Sequence, residues 1–131
     1  MIAGVYNMTI EQGSSFGRTF SLQQPDIATD PTGQTFVNTQ LTNYTARMHI
    51  RRTVETVTPM IVLTTENGRM AINPDIATAP TRDNEVQIEI SAADTALLSS
   101  DGVYDLEIIS PSGVVSKVVR GNIILIQEVT R

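Results

Sequence analysis

The sequence contains no cysteine, no tryptophan and a single histidine in 131 residues. Without cysteine there is no disulfide framework and no thiolate metal site. A catalytic triad needs a histidine beside a nucleophile and an acid, and His49 is the only histidine in the sequence. No phosphate-binding glycine loop and no metal-spaced His/Asp cluster is present either. We therefore expect a protein that is not an enzyme and that uses no cofactor and no metal.

Basic charge is also scarce: the sequence has 9 lysine and arginine residues and 14 acidic ones, for a net charge of −5. That balance argues against a nucleic-acid partner, whose phosphates require a basic face. The N-terminal stretch lacks a basic segment followed by an apolar one, and no apolar run is long enough to cross a bilayer. The expectation is a soluble protein without a membrane partner, folded as a single domain over residues 1–131.

What the chain does have is a series of short segments in which apolar and polar residues alternate. This period of two is typical of half-buried strands, whose successive side chains leave on opposite faces. The segment 44–51 is the clearest example in the first half of the chain. The apolar members of the best segments are predicted to form the core: Tyr44, Met48, Ile50, Val86, Ile88, Ile90, Tyr104, Leu106 and Ile108.

Residues 103–127 are predicted to form a three-stranded meander, with turns at 110–113 and at Gly121-Asn122. Its last run, 123–126, is apolar on both faces and lies near the end of the chain, where a strand is often at a sheet edge. An edge without charge or proline invites pairing with another chain. Ile123 and Leu125 are therefore predicted to contact a partner.

Turn and cap signals complete the outline of the fold. Glu66-Asn67-Gly68 predicts a tight hairpin between strands at 60–65 and 69–72. Ser91 and Asp94 match a capping box, which predicts a short helical crossover near residues 91–98 between strands of different sheets. Eight or nine short strands without βαβ alternation predict an all-β antiparallel β-sandwich, immunoglobulin-like in architecture, with a small barrel as the alternative.

An eight-residue pattern, PDIATxPT, occurs twice, at 25–32 and at 74–81. Both copies lie in long polar loops. Two similar loops could present similar contacts to neighbouring subunits, and the residues predicted to do so are Asp26, Ile27, Asp75 and Ile76. The alternative is that these are ordinary turn residues whose isoleucine packs on the core in both places.

A basic stripe forms on the polar face of the strand at 44–51, where Arg47, His49 and Arg51 alternate with apolar residues. One interpretation is a docking face for an acidic neighbour. The other is cross-strand pairing, which is common on solvated sheets and contributes little per pair. The acidic residues available for such pairing are Glu89, Asp105 and Glu107.

Six short segments, read in order, resemble small structural proteins of tailed-bacteriophage virions that are associated with the tail or baseplate. The segments are NMTIEQGSSFGRTF, LTNYTARMHIR, LTTENG, ISAADTALL, YDLEIISPSG and the closing EVTR. The resemblance implies a β-sandwich that assembles in symmetric rings or binds larger virion parts as an adaptor.

On that resemblance, we expect a non-enzymatic structural or adaptor subunit of a virion, made in the host cytoplasm, whose partners are other virion proteins and copies of itself. A cement protein that decorates the capsid is one alternative. A carbohydrate-binding module is another, although the chain has only three tyrosines and three phenylalanines with which to stack sugars.

Overall fold

The computed structural model describes residues 3–130, and in this range the chain forms eleven strands and one short helix. The strands of the first half are β1 (Gly4–Val5), β2 (Met8–Glu11), β3 (Phe16–Ser21), β4 (Gln23–Pro25), β5 (Phe36–Asn38) and β6 (Thr45–Arg51). The second half contains β7 (Ile61–Thr64), β8 (Met70–Ile72), β9 (Glu85–Ile90), α1 (Ala92–Thr95), β10 (Gly102–Ile109) and β11 (Val115–Ile126).

Two main sheets contain most of these strands. The larger has the order β1-β11-β10-β6-β7, with β2 also paired to β11, and the smaller has the order β3-β9-β8. Strands β11-β10-β6-β7 and β3-β9-β8 correspond to G-F-C-C′ and B-E-D of a variable-type immunoglobulin sandwich. The predicted antiparallel β-sandwich is confirmed, and the sheets do not close into a barrel. The exceptions to antiparallel pairing are β1 and β2, which run parallel to β11.

The core lies between these sheets, where the period-two pattern places it. Eight of the nine predicted core residues are buried, and Tyr44 is half-buried against them. The prediction of the inward faces of β6, β9 and β10 is therefore confirmed. Further buried residues come from segments whose alternation was weaker, among them Met8, Ile10, Leu41, Leu63, Leu98 and Ile123.

The helical crossover is also confirmed, since α1 joins β9 in the smaller sheet to β10 in the larger. Ser91 Oγ accepts a hydrogen bond from the Asp94 N–H at 3.2 Å, as an N-cap does. The Asp94 carboxylate accepts two bonds from the Arg69 guanidinium, at 2.8 and 3.1 Å. The hydrogen bond from Arg69 lowers the pKa of Asp94. This acid ties the crossover to the start of β8 rather than closing a capping box.

The predicted meander is wrong in its third strand, because β11 runs without a turn through Gly121-Asn122. Gly121 is needed for a different reason: a side chain there would collide with the Tyr6 carbonyl of the N-terminal segment. The Asn122 N–H donates to Asn7 Oδ1 at 2.9 Å. The glycine marks a close backbone approach, which a local sequence pattern cannot distinguish from a turn.

The prediction that residues 123–126 form a sheet edge is also wrong. They pair with β2, so β2 rather than this run forms the edge of the sheet there, while β1 pairs with Val119 and Arg120. Ile123 is only 1% exposed and is a core residue rather than a partner contact. Leu125 packs against the core as well. The exposed apolar residues of this run are Ile124 and Ile126, on the outer face of the sheet.

The hairpin predicted at Glu66-Asn67-Gly68 is wrong in its partner strands, because β7 pairs with β6 and β8 pairs with β9. The turn itself forms, with Gly68 at φ +80°. Asn67 Oδ1 accepts from the N–H groups of Thr64 at 3.0 Å and Arg69 at 3.1 Å. The turn reverses the direction of the chain as predicted, but it connects a strand of the larger sheet to a strand of the smaller one.

The two PDIATxPT loops differ in structure. The first lies at the tip of a hairpin formed by β4 and β5, and the second connects β8 to β9. Ile27 is 71% exposed and Ile76 is 41% exposed. Packing of both isoleucines on the core is therefore wrong.

A cationic groove on the larger sheet as the candidate functional site

The outward faces of β6, β10 and β11 form the floor of a groove of about 790 Å³. Strand register sets its rows, because His49 lies opposite Asp105 and Asp105 lies opposite Arg120. In the neighbouring row, Glu107 lies between a residue of β6 and one of β11. All three members of the predicted basic stripe, Arg47, His49 and Arg51, line this groove.

Two further cations, Lys117 and Arg120, reach the same groove because of a β-bulge. In a regular strand, residues three apart point to opposite faces. Here Leu106 pairs with Val119 while Glu107 pairs with Lys117, so Val118 is an extra residue in β11. Both valines are buried, and the cations on either side of them face outward. The sequence KVVR gives no sign of this bulge, so these two groove residues could not be found from the sequence.

Positive charge is concentrated in the groove. Four of the chain's nine lysine and arginine residues line it, but only two of its 14 acidic residues do. A chain with a net charge of −5 therefore presents a face with an excess of cations. Such a separation of charge produces a local potential opposite in sign to that of the whole protein.

Two of these cations have partners within the sheet. Arg47 Nε lies 2.6 Å from Glu107 Oε2, and Lys117 Nζ lies 3.3 Å from Asp105 Oδ2. Cross-strand pairing is thus confirmed for Arg47. Glu89 takes no part, because it lies on β9 in the other sheet.

Arg51 holds the loop between β6 and β7. Its Nη1 donates to the carbonyls of Thr56, at 3.0 Å, and Val57. Its Nη2 lies 3.0 Å from His49 Nδ1. Because a guanidinium can only donate, Nδ1 accepts, and the His49 ring carries its proton on Nε2. The loop held in this way places Val54, which is 80% exposed, at the side of the groove.

Arg120 is the groove cation whose side chain has neither an ion pair nor a hydrogen bond among residues 3–130, whereas Arg51 has no ion pair but donates to the Thr56 and Val57 carbonyls. Its backbone is fixed, since β11 pairs with β10 on one side and its carbonyl accepts from the Tyr6 N–H at 2.8 Å on the other. Its side chain is exposed, and Val5, also exposed, lies opposite it on β1. A guanidinium on a rigid strand, free of a carboxylate partner, is suited to bind one from another molecule.

The acidic residues that were predicted to contact a partner instead bind other residues of their own loops. Asp26 accepts from the Thr29 hydroxyl at 2.5 Å, and Asp75 lies 3.0 Å from the Arg82 guanidinium. In the first loop, hydrogen bonds from Thr32 and Thr35 lower the pKa of Asp30 to about 2. These carboxylates therefore have structural roles. They are not part of the groove.

The loops touch at their bases, where Asn38 Nδ2 donates to the Thr81 carbonyl at 3.3 Å. Ile27 and Ile76 remain exposed on them, and their predicted partner contacts stay a prediction. Within the described part of the chain, no group of three or more histidine, aspartate and glutamate side chains could hold a metal ion. In the same range no helix is long and apolar enough to cross a membrane.

No family model matches the chain, and no curated protein matches it. Among solved structures, the chain is similar to the first Ig-like domain of human CD48 antigen, at 12% identity and a TM-score of 0.39, over 98% of this chain and 88% of that one. It is also similar to extracellular domains 3–5 of Drosophila OTK, at 13% identity and a TM-score of 0.33, over 94% of this chain and 33% of that one. The assignment of the immunoglobulin-like sandwich rests on the strand order of the chain itself.

Proposed function

We propose that this chain is a non-enzymatic adaptor subunit that binds an acidic segment of a neighbouring protein in the cationic groove. The observation that carries the proposal is Arg120, an exposed guanidinium on a rigid strand with no carboxylate partner in residues 3–130. The setting we propose is a tailed-bacteriophage virion, in the tail or baseplate, and the support for that setting is the resemblance of the six sequence segments.

The chemistry of the groove selects an acidic and partly apolar ligand. Arg120 can donate two parallel N–H bonds to a carboxylate, and such charge-assisted pairs are about twice as strong as neutral hydrogen bonds. Val5 and Val54 are exposed apolar residues on the wall. Burying their side chains on binding would add apolar area to the contact. Arg47 and Lys117 already neutralise Glu107 and Asp105, so these acids do not repel the incoming carboxylate.

A binding measurement tests the groove. A short glutamate-rich peptide carrying a fluorophore should bind the wild-type chain in fluorescence anisotropy, and binding should weaken as salt is raised. Arg120→Glu should weaken it about tenfold or more, because the reversed charge repels the peptide. Arg18→Glu is the matched control, since it makes the same charge change on the smaller sheet. Equal loss in both variants, or no binding by the wild type, would rule out the groove as the site.

Particle structure tests the setting. Cryo-electron microscopy of the intact phage particle should locate the chain in the tail or baseplate with the groove covered by an acidic segment of another subunit. A particle that lacks the chain, or one in which Arg120 faces solvent, would contradict the proposal. Location on the capsid exterior would favour the cement-protein alternative instead.

A further inference from the structure

The smaller sheet has an edge strand, β3, that is longer than the other edge strands of the described chain. It has six residues, against two to four for β1, β2, β7 and β8. It contains no proline, and its one charged residue is Arg18. Long edges of this kind are templates for pairing with another chain unless they are protected.

Hydrogen-bond register shows which backbone groups of β3 face outward. The Leu22 N–H donates to the Asn84 carbonyl at 2.8 Å, so Leu22 and Asn84 form a hydrogen-bonded pair. Because such pairs alternate along an antiparallel ladder, the next pair, Ser21 and Glu85, is not hydrogen-bonded, and the pair after it, Phe20 and Val86, is. By alternation, Phe16, Arg18 and Phe20 bond to β9. The backbone groups that point away from the sheet belong to Gly17, Thr19 and Ser21, and no hydrogen bond reaches them from residues 3–130.

The contrast with β7, an edge of the larger sheet, is direct. There the outward Val62 carbonyl accepts from Asn67 Nδ2 at 3.0 Å and from Arg69 Nη1 at 3.2 Å. The outward Thr64 N–H donates to Asn67 Oδ1 at 3.0 Å. Side chains of the following turn therefore close the β7 edge, whereas no side chain of residues 3–130 bonds to the outward backbone groups of β3.

We infer that β3 pairs with the β3 strand of a second copy of this chain, antiparallel and about a two-fold axis at Thr19. In this register Thr19 faces Thr19 of the other copy, and Gly17 faces its Ser21. Each facing pair exchanges two backbone hydrogen bonds, so every outward group of the strand is satisfied. The smaller sheet then continues across the dimer.

Side-chain charge and chemistry favour this register over the two neighbouring ones. An axis at Arg18 would place two arginines directly opposite each other, which destabilises a strand pair. An axis at Phe20 would place Arg18 opposite Leu22 of the other copy, which has no aromatic ring to receive the guanidinium. An axis at Thr19 instead places Arg18 opposite Phe20 of the other copy. Arg18 already lies over the rings of Phe16, at 5.4 Å, and Tyr6, at 5.7 Å, so an aromatic neighbour suits it.

Hydrogen exchange and sedimentation of the full chain test the pairing without mutation. Raising the concentration through the micromolar range should convert monomer to dimer. In step with this change, the amides of Gly17, Thr19 and Ser21 should become protected, because only these amides gain hydrogen bonds. A chain that stays monomeric, or a dimer in which these three amides remain open, would overturn the inference.

Two pairs of variants test the register. Thr19→Pro removes an outward N–H that β9 does not use, so the monomer should still fold. The dissociation constant of the dimer should rise about tenfold or more. Thr19→Val keeps the N–H and should leave that dissociation constant unchanged. The chain has no native cysteine, so Thr19→Cys should form an intermolecular disulfide on mild oxidation and Ser21→Cys should not. Cross-linking of Ser21→Cys alone, or of neither variant, would overturn the register.

This inference goes beyond the proposed function, and the two fail separately. Arg120→Glu should leave the dimer intact, because Arg120 lies in the larger sheet. Thr19→Val and Thr19→Pro should both bind the glutamate-rich peptide as the wild type does.

Discussion

The two faces of strand β10 differ in what they contribute to the protein although they alternate residue by residue. Tyr104, Leu106 and Ile108 are buried between the sheets, whereas Asp105 and Glu107 point into the groove on the opposite side. The inward face stabilises the fold by removing apolar area from water. The outward face contributes little to stability and sets the charge of the candidate site. The same strand therefore supports folding and recognition with side chains that do not touch each other.

The largest effect that separates the two faces is expected from Leu106→Ala. Leu106 is fully buried, so truncation leaves a cavity and should lower the free energy of unfolding by about 2–5 kcal/mol. Urea unfolding followed by circular dichroism measures it. Asp105→Ala, one residue away on the outward face, is the control and should cost about 1 kcal/mol or less. Similar losses for both variants would show that the faces are not energetically distinct.

A smaller effect is expected from Tyr104→Phe, because Tyr104 is the one inward residue of β10 with a polar group to satisfy. Its hydroxyl donates to the Tyr6 carbonyl at 2.5 Å, across 98 residues of sequence. Losing that bond should lower the free energy of unfolding by about 1 kcal/mol at pH 7. Thermal denaturation of the two proteins measures the difference. An unchanged midpoint would show that water replaces the hydroxyl without cost.

The same pair of proteins should diverge at alkaline pH. Burial, with a smaller contribution from Tyr6, raises the pKa of Tyr104 to about 12. A phenol in the unfolded chain ionises near about 10. The stabilisation is therefore complete below pH ~10 and is lost as pH rises from about 10 to about 12, because the unfolded state releases its proton first. Tyr104→Phe should lack this loss. If the free energies of unfolding of the two proteins fell in parallel between pH ~10 and pH ~12, the raised pKa of Tyr104 would be contradicted.

The smallest stability effect is expected on the outward face, from Arg47→Ala. The Arg47–Glu107 pair is short, but half of the Arg47 side chain is exposed, so solvent screens it. A double-mutant cycle with Glu107→Ala should give a coupling energy below about 1 kcal/mol that falls further in high salt. A coupling of several kcal/mol would mean that the outward face also holds the fold together.

Much of the fold could be predicted because alternation is a local property. The buried faces of β6, β9 and β10 follow from the period of two, and the cap at Ser91 follows from the spacing of Ser91 and Asp94. Each of these signals lies within one element. The errors occur where two distant segments meet. Gly121 was predicted to form a turn, yet its absent side chain makes room for Tyr6, more than a hundred residues away.

The candidate site divides in the same way. The alternation in β6 predicts that Arg47, His49 and Arg51 share an outward face, and the sequence determines this by itself because one strand's pleat decides it. Only the tertiary structure decides that Arg47 and Arg51 are occupied by internal partners and that Arg120 is not. It also decides which strand edges are open, because hydrogen-bond direction depends on pairing register. The physical reason is that a bulge, a register and an edge are properties of two chain segments together, and neither segment encodes them alone.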